Sequence, residues 1–347
     1  MDRVAMFVEA LEGGRVQCRL CPRGCKVPVG KPGFCQVREN IGGTMYLTAY
    51  GRPDAVHVDP IEKKPLYHYL PGTTSLSIGT VGCSLACRFC QNWTLSRARG
   101  RDPERTVSLP PDRLVALARR HGSPSISFTY NEPTILAEYI LDTAEVAHAA
   151  GVGIVMVTDG YITQEAARVL YPHVDAANVD LKAFTDEFYR KQCSGRLQPV
   201  LDALVEARAA GVHIEVTTLL IPGLNTDESE IRSEALWIRD HLGADTPLHF
   251  SAFHPDYRML DRPRTPPAML HHARQVALDA GLRYVYEGNI EAGEGWNTVC
   301  PSCGRVLIRR GWFEVVQDHL GPDGACDCGH KIPIIRRPVR PSRPPQS

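Results

Sequence analysis

Apolar and polar positions alternate along the middle of the chain in two different rhythms. Short apolar runs typical of buried strands are separated by longer stretches with the spacing of amphipathic helices. The candidate strands are 75–80, 125–129, 152–157, 175–181, 212–220 and 247–253, with 284–286 as a further candidate. The helical patterns are 111–121, 132–150, 163–170, 197–210, 226–242 and 267–280. Strands that alternate with helices predict an α/β fold with a parallel sheet, here an open, partial (β/α)6 TIM-like barrel.

The pattern changes at both ends of this region and divides the chain into four parts. Residues 1–70 are rich in Cys, Gly and Pro and are expected to form an irregular segment pinned by a metal. The barrel is expected over 71–290, and a small Cys-rich appendix over 291–335. Residues 336–347 are rich in Pro and Arg and predict a disordered tail.

Composition excludes several classes of protein. The 347 residues are 43% hydrophobic and 22% charged, which argues against disorder of the whole chain. Thirty-nine Lys and Arg balance thirty-nine Asp and Glu, so a general nucleic-acid binder is disfavoured. No apolar run approaches the length of about 18 residues that a membrane span needs. The N-terminus is unlike a secretory signal, so the sequence predicts a cytoplasmic protein.

The twelve cysteines fall into three groups and one isolated residue. Disulfides are rare in a reducing cytoplasm, and thiolates at such short spacings converge on soft metals. The first group is Cys18, Cys21, Cys25 and Cys35, the second is Cys83, Cys87 and Cys90, the third is Cys300, Cys303, Cys326 and Cys328, and the isolated residue is Cys193.

The second group directly follows the first candidate strand. An electron-carrying 4Fe–4S cluster is usually held by four thiolates, so three thiolates leave one iron open. An open coordination position marks a catalytic metal site, by the logic that holds for zinc. In the alternative interpretation, a fourth ligand such as Cys193 completes the cluster and the site is structural.

The stretch Cys83-Ser-Leu-Ala-Cys87-Arg-Phe89-Cys90 resembles the signature of the radical S-adenosylmethionine (radical SAM) superfamily. The resemblance implies a 4Fe–4S cluster whose open iron chelates the amino and carboxylate groups of S-adenosylmethionine (SAM). It also implies that the reduced cluster cleaves SAM to methionine and a 5′-deoxyadenosyl radical, which abstracts hydrogen from a substrate. The fold of the superfamily is the partial barrel predicted above.

Polar residues follow the second candidate strand, at the end where parallel barrels build their active sites. Glu132 is the candidate that holds the ammonium group of SAM by a charge-assisted hydrogen bond, and Asn131 beside it is a second candidate for cofactor binding. The superfamily has a Gly-Gly-Glu stretch at this place, whereas this chain has Tyr130-Asn131-Glu132. The alternative is that Glu132-Pro133 starts a helix, where an acidic residue suits the helix dipole.

Two later strand ends supply further candidates. The triplet Asp180-Leu-Lys182 resembles the matching triplet of the glycyl-radical activating enzymes. Asp180 and Lys182 are candidates to hydrogen-bond a ribose hydroxyl or a carboxylate. His254 follows the sixth candidate strand, and the same resemblance implies contact with the nucleoside. The alternatives are a surface ion pair for Asp180 and Lys182, and a turn residue for His254.

A narrower resemblance rests on motifs that occur together: Asp59-Pro-Ile-Glu-Lys-Lys-Pro-Leu-Tyr-His-Tyr-Leu-Pro-Gly72, Cys90-Gln-Asn-Trp93, Phe128-Thr-Tyr-Asn-Glu-Pro133 and Asp180-Leu-Lys182. With the N-terminal Cys-Arg-Leu-Cys-Pro-Arg-Gly-Cys, they resemble the radical SAM component of the AmmeMemoRadiSam system. That family is similar to the pyruvate formate-lyase activating enzymes. The resemblance implies Memo-like and AMMECR1-like proteins as partners, and an electron donor such as a flavodoxin or ferredoxin.

The first and third cysteine groups are candidate metal sites of their own. Spacing allows zinc or an auxiliary 4Fe–4S cluster at Cys18–Cys35 and does not separate the two. The tight turn Cys300-Pro-Ser-Cys303-Gly favours zinc in the third group, with His330 as an alternative to one thiolate. So small a segment would rely on the metal for folding. Cys193 is interpreted as a structural thiol.

Three functions follow from these interpretations. The leading one is a radical SAM oxidoreductase that acts on an unidentified protein or small molecule. The second is a glycyl-radical enzyme activase, which needs a partner protein. The third, of another class, is a non-enzymatic iron–sulfur electron carrier. Formation of 5′-deoxyadenosine separates the first two from the third.

Overall fold

The N-terminal segment folds into two small antiparallel sheets. The computed structural model describes residues 2–98, 107–291, 293–321 and 323–338. The strands of this segment are β1 (Arg3–Val4), β2 (Val8–Ala10), β3 (Val16–Cys18), β4 (Lys26–Val27), β5 (Lys31–Pro32), β6 (Arg38–Ile41) and β7 (Thr44–Leu47). One sheet has the order β1-β7-β6-β5 and the other β2-β3-β4. The expectation of an irregular segment is therefore wrong, because strands of two to four residues are too short to show a period in sequence.

The central sheet has eight strands, which are paired in the order in which they follow along the chain. They are β8 (Ala55–Pro60), β9 (Thr74–Gly79), β10 (Ser125–Phe128), β11 (Gly153–Thr158), β12 (Ala176–Asp180), β13 (His213–Leu220), β14 (Leu248–Ala252) and β15 (Val285–Gly288). All neighbours from β9 to β15 pair in parallel, whereas β8 pairs antiparallel to β9 at the edge. The predicted parallel sheet is confirmed, including its seventh strand, and β8 adds an edge strand that the sequence pattern did not reveal.

Helices connect the parallel strands. They are α1 (Trp93–Ser96), α2 (Pro111–Arg120), α3 (Ala137–Ala149), α4 (Gln164–Leu170), α5 (Asp186–Phe188), α6 (Gln198–Ala209), α7 (Glu228–His241) and α8 (Pro267–Asp279). Short 3-10 turns cover Glu12–Gly14, Ile61–Lys63, Pro133–Leu136, Tyr171–His173 and Glu294–Trp296, and a π-helical turn covers Tyr189–Cys193. Local chemistry sets several starts. Asp227, for example, accepts the backbone N–H of Ser229 at 2.9 Å and so caps α7. No described helix has the length and apolar character that crossing a membrane requires.

A strap formed by residues 61–72 closes the amino ends of the parallel strands. The backbone N–H groups of Tyr67 and His68 donate to the Glu215 carboxylate at 2.9 and 2.7 Å. His213 and His249 also bond this carboxylate and, against the effect of burial, hold the pKa of Glu215 well below its usual value. Side chains two residues apart on a strand share a face, so Glu215 lies one layer below Thr217 inside the sheet. The strap thus covers the end of the sheet opposite the carboxyl ends of the strands.

The C-terminal appendix packs against this strap. It contains β16 (Thr298–Val299), β17 (Val306–Gly311) and β18 (Glu314–Asp318), paired antiparallel in that order. Arg310 donates to the backbone carbonyl of Tyr67 at 2.8 Å, and the N–H of Leu70 donates to the carbonyl of Ile335 at 2.7 Å. Of the predicted tail 336–347, only 336–338 are among the described residues, and there Pro338 accepts a hydrogen bond from the Tyr69 hydroxyl.

Candidate active site

The second cysteine group lies in the loop that follows β9, at the carboxyl end of the sheet. The N–H of Leu85 donates to Cys83 Sγ at 3.4 Å, and Cys90 Sγ lies 3.3 Å from the Ser96 hydroxyl. Burial raises the pKa of Cys83 well above its usual value, and contact with Cys193, together with burial, does the same for Cys87. These thiols stay neutral on their own, so a bound cation is needed to stabilise their thiolate forms.

All three thiols line one cavity of about 230 Å³ at the carboxyl edge of the sheet. Each later parallel strand, from β10 to β15, brings at least one polar residue to the same wall. One from each strand, in chain order, is Asn131, Asp159, Asp180, Thr217, Ser251 and Asn289. The wall therefore combines soft metal ligands with hydrogen-bonding groups from six separate strands, which is how parallel barrels build catalytic sites.

Lys182 forms the charged centre of this wall. Its Nζ lies 2.8 Å from Asp159 Oδ1 and 2.6 Å from Asp180 Oδ2. Burial acts against the charge of Lys182, but the two carboxylates raise its pKa well above the usual value. The Lys182 side chain is only 13% exposed, so the alternative of a surface ion pair is wrong. Asp159 was absent from the predicted site residues, although the strand-end rule that selected Asp180 applies to it equally.

Glu132, the residue predicted to hold the ammonium group of SAM, is not among the residues that line the cavity, and its carboxylate accepts hydrogen bonds from the protein itself. Its Oε1 accepts from Thr134 N at 2.8 Å and from the Thr158 hydroxyl at 2.6 Å, and its Oε2 accepts from Asp159 N at 2.6 Å. The side chain is fully buried and caps the 3-10 turn that starts at Pro133, directly before α3. Burial, then the Asp159 charge, raise the pKa of Glu132 to about 7.

The other two predicted residues lie at the cavity and at its rim. Asn131 lines the wall, and its Nδ2 donates to the carbonyl of Gly82 at 2.7 Å, which ties the end of β10 to the cysteine loop. His254 is exposed and is not among the lining residues. Its Nδ1 lies 3.1 Å from Nε2 of Gln91, which does line the cavity. His254 therefore stands one residue away from the site that it was expected to contact.

Comparison with known proteins agrees with this geometry. Residues 77–235 match the family model described as the radical SAM superfamily. The chain is also 42% identical to the uncharacterized protein MJ0808 of Methanocaldococcus jannaschii over 336 residues, which cover 96% of this chain and 99% of that protein. The chain belongs to the radical SAM superfamily.

Two solved structures are more distantly similar. A domain of pyruvate-formate lyase-activating enzyme from Bacteroides vulgatus has a TM-score of 0.42 and 17% identity, and the match covers 47% of this chain and 98% of that chain. A radical SAM methyltransferase from Sphaerobacter thermophilus has a TM-score of 0.49 and 17% identity, covering 62% of this chain and 66% of that chain.

Membership of the radical SAM superfamily implies an enzyme with a 4Fe–4S cluster and SAM. The described residues fit these groups, because three thiols line the cavity and no fourth thiol is among its lining residues. Cys193 is fully buried and contacts Cys87, yet it is not part of the cavity wall. The donor set therefore leaves room for a ligand at one iron, as the chemistry of a radical SAM site requires.

The third cysteine group is a compact candidate metal site outside the central sheet. The four sulfurs of Cys300, Cys303, Cys326 and Cys328 all lie within 4.8 Å of one another. Cys300 and Cys328 are 3.6 Å apart, and Cys303 and Cys326 are 3.7 Å apart. The thiols complete the set, so the alternative ligand His330 is not needed. Its backbone N–H instead donates to Cys328 and is the main cause that lowers the pKa of that thiol to about 7.

Proposed function

We propose that this radical SAM protein cleaves SAM reductively and uses the product radical to abstract hydrogen from a protein or small-molecule substrate. The observation that carries the proposal is the single cavity at the carboxyl edge of the sheet. Its wall joins the three thiols of the Cys83–Cys90 loop to polar groups from each of the six strands that follow. An electron carrier needs four ligands and no such polar wall, so the geometry favours the enzyme over the carrier.

In this proposal Cys83, Cys87 and Cys90 hold the cluster. With a 4Fe–4S cluster and SAM bound, the site supplies reductive cleavage of SAM to methionine and a 5′-deoxyadenosyl radical. Asp180 and Lys182 lie on the wall and are proposed to hydrogen-bond the ribose hydroxyls and the carboxylate of SAM. Their ion pair keeps Lys182 protonated, so that it acts as a donor in the cavity.

Four further residues orient this arrangement. Asn131 holds the cysteine loop through its bond to Gly82. Glu132 fixes the backbone of Asp159, and Asp159 in turn fixes Lys182. We therefore propose Glu132 as a positioning residue instead of a direct ligand of SAM. His254 is proposed to act at the rim through Gln91, which lines the cavity.

The test is anaerobic turnover. The protein is reconstituted with iron and sulfide, reduced with dithionite and given SAM, and 5′-deoxyadenosine is quantified. The parent and Cys193→Ala should both form 5′-deoxyadenosine, whereas a Cys83→Ala, Cys87→Ala, Cys90→Ala triple variant should form none. Loss of the product in Cys193→Ala, with iron lost as well, would make Cys193 a fourth ligand. A parent that binds iron but forms no product would favour the electron carrier.

The narrower proposal is that this chain is the radical SAM component of the AmmeMemoRadiSam system and acts in the cytoplasm. Its support is the set of motifs quoted above and the twelve cysteines, all described and all unpaired, as a reducing compartment requires. Turnover driven by a flavodoxin or ferredoxin is compared with and without purified Memo-like and AMMECR1-like proteins. Faster 5′-deoxyadenosine formation or a modified partner supports the proposal. An unchanged rate with unmodified partners contradicts it.

A further inference from the structure

The four cysteines of the N-terminal segment surround a second cavity. Cys18 ends β3, Cys21 and Cys25 lie in the turn before β4, and Cys35 lies between β5 and β6. All four line the same cavity, whose wall is completed by the apolar side chains of Leu20, Phe34 and Ile135 and by the polar side chains of Arg23, Arg38 and Ser84. Cys18 and Cys35 are buried, and the other two are half-buried. Four thiols thus converge on one cavity from three consecutive parts of the chain.

The spacing of these sulfurs differs from that of the C-terminal group. A single tetrahedral zinc with Zn–S bonds of about 2.3 Å holds its sulfurs about 3.8 Å apart. The pairs Cys300–Cys328 and Cys303–Cys326 match this value at 3.6 and 3.7 Å. In the rest of the described chain, no other set of three or more ligand atoms is as compact as the C-terminal four. No three of the N-terminal sulfurs are therefore that close together, although all four line one cavity, and the same holds for Cys83, Cys87 and Cys90.

Two buried donors in this cavity have no partner within the described residues. The hydroxyl of Ser84 and Nε of Arg38 are both orphaned, and both residues line the cavity while being at most 2% exposed. Buried donors without an acceptor are rare and costly, so each of them points to a missing acceptor. The other two guanidinium nitrogens of Arg38, Nη1 and Nη2, donate to Oε2 and Oε1 of Glu138, both at 2.9 Å. Inorganic sulfide and cysteine thiolate are acceptors that would satisfy both donors.

We propose that Cys18, Cys21, Cys25 and Cys35 bind a second iron–sulfur cluster of the 4Fe–4S type. Each thiolate of such a cluster binds a different iron, which explains why the sulfurs lie around a space instead of in mutual contact. The inorganic sulfides accept hydrogen bonds from Ser84 and Arg38. Because all four irons have a protein ligand, the cluster has no open position. It therefore carries electrons and does not bind SAM.

The position of this cavity gives the second cluster a neighbour. Ser84 lines the N-terminal cavity, whereas Cys83 and Leu85, on either side of it, line the active-site cavity. The loop is held in place by Arg23, which donates to the carbonyls of Ser84 and of Ser194, the latter at 2.6 Å. One turn of chain is thus the common wall of the two cavities, which suits transfer of an electron between them.

The test counts metals and does not depend on SAM cleavage. Iron, acid-labile sulfide and zinc are measured after anaerobic reconstitution in the parent and in the Cys83→Ala, Cys87→Ala, Cys90→Ala triple variant. The parent should hold about eight irons per chain, and the triple variant about four with matching sulfide. A Cys18→Ser, Cys21→Ser, Cys25→Ser, Cys35→Ser variant, if folded, should also hold about four and still form 5′-deoxyadenosine from SAM with dithionite as reductant.

The triple variant decides the proposal even if the quadruple variant does not fold. Its reduced electron paramagnetic resonance spectrum should show a cluster that SAM leaves unchanged. A triple variant without iron or sulfide would overturn the proposal, whether zinc or no metal takes the cavity. The Cys303→Ser variant identifies which zinc belongs to the C-terminal site. If the protein does not cleave SAM, the proposed function fails, but the iron content of the triple variant still tests the second cluster.

Discussion

The backbone N–H of Asp159 donates to the Glu132 carboxylate at 2.6 Å. Glu132 is fully buried and does not line the cavity, but it positions Asp159, which does. Glu132→Gln keeps the shape of the side chain but can place an amide N–H against the N–H of Asp159. We expect the dissociation constant for SAM to rise about tenfold, which corresponds to about 1.4 kcal/mol. Equilibrium dialysis with reconstituted protein measures it, and iron content should not change. The exposed Glu165→Gln variant is the control. Equal affinity in parent and Glu132→Gln would remove the positioning role.

Gly82 lets the loop that contains Cys83 pack closely against the loop that contains Cys35, because it has no side chain. Its φ is +88°, and a Cβ there would lie 1.9 Å from the carbonyl oxygen of Cys35. Gly82→Ala should therefore force the loops apart, lower the free energy of unfolding by several kcal/mol and reduce bound iron. Gly122→Ala is the matched control, because its φ is +66° and it has nothing within 4 Å. The control should cost only about 1–2 kcal/mol from its backbone conformation. Equal losses in the two variants would show that the contact with Cys35 is unimportant.

The Glu234 carboxyl of α7 predicts a dependence of stability on pH. Burial raises the pKa of Glu234 to about 8, although the Thr218 hydroxyl donates to it. Between the ordinary value of 4.5 and about 8, the folded chain holds a proton there that the unfolded chain has lost. Stability from this group is therefore complete below pH 4.5 and is lost as the pH rises towards 8, by up to about 1.4 kcal/mol per pH unit.

Glu234→Gln should flatten this loss, because the amide does not titrate. The measurement is urea unfolding at a series of values from about pH 5 to about pH 8. Glu187→Gln, on the exposed surface, is the control and should keep the slope of the parent, since Lys191 lowers the pKa of Glu187 out of this range. A Glu234→Gln variant with the slope of the parent would show that another group is responsible.

The C-terminal sulfurs predict a zinc site that stabilises the packing of the appendix against the strap. Their separations of 3.6 and 3.7 Å match a tetrahedral Zn(Cys)4 site. Cys303→Ser should lose about one zinc per chain and lower the melting temperature, because the appendix then releases its contacts to the strap. Metal analysis and thermal unfolding measure both effects, with Cys193→Ser as the control for zinc content. Loss of iron instead of zinc would assign a cluster to this site as well.

The parallel sheet could be predicted from the sequence because each strand is long enough to show its apolar pattern. The small N-terminal sheets could not, since strands such as Arg3–Val4 contain no period to detect. The edge strand Ala55–Pro60 also escaped prediction, because its residues are half-exposed and its apolar positions are interrupted by His57 and Asp59. Length and burial of an element therefore decided whether it could be recognised.

The site divides in the same way. The strand-end rule correctly predicted that Asn131, Asp180 and Lys182 lie on the cavity wall. It works because residues at the carboxyl ends of parallel strands all lie at the same edge of the sheet. It could not tell which way a side chain turns after the strand. Tyr130 has a φ of +73°, and a 3-10 turn starts three residues later at Pro133. The Glu132 carboxylate caps that turn and therefore does not line the cavity. Backbone geometry of this kind follows from packing that no single motif encodes.

The strap across the amino ends of the strands has a consequence for how the chain is made on the ribosome. Tyr67 accepts a hydrogen bond from Arg310, and Leu70 donates one to Ile335. The strap is therefore synthesised early, but its hydrogen-bond partners are synthesised almost at the end of translation. Contacts over such sequence separations form late, because the loop between them must first be ordered. The amino ends of the parallel strands therefore stay exposed for most of the synthesis of the chain. A chain that stops before Ile335 should be bound by chaperones or degraded by proteases.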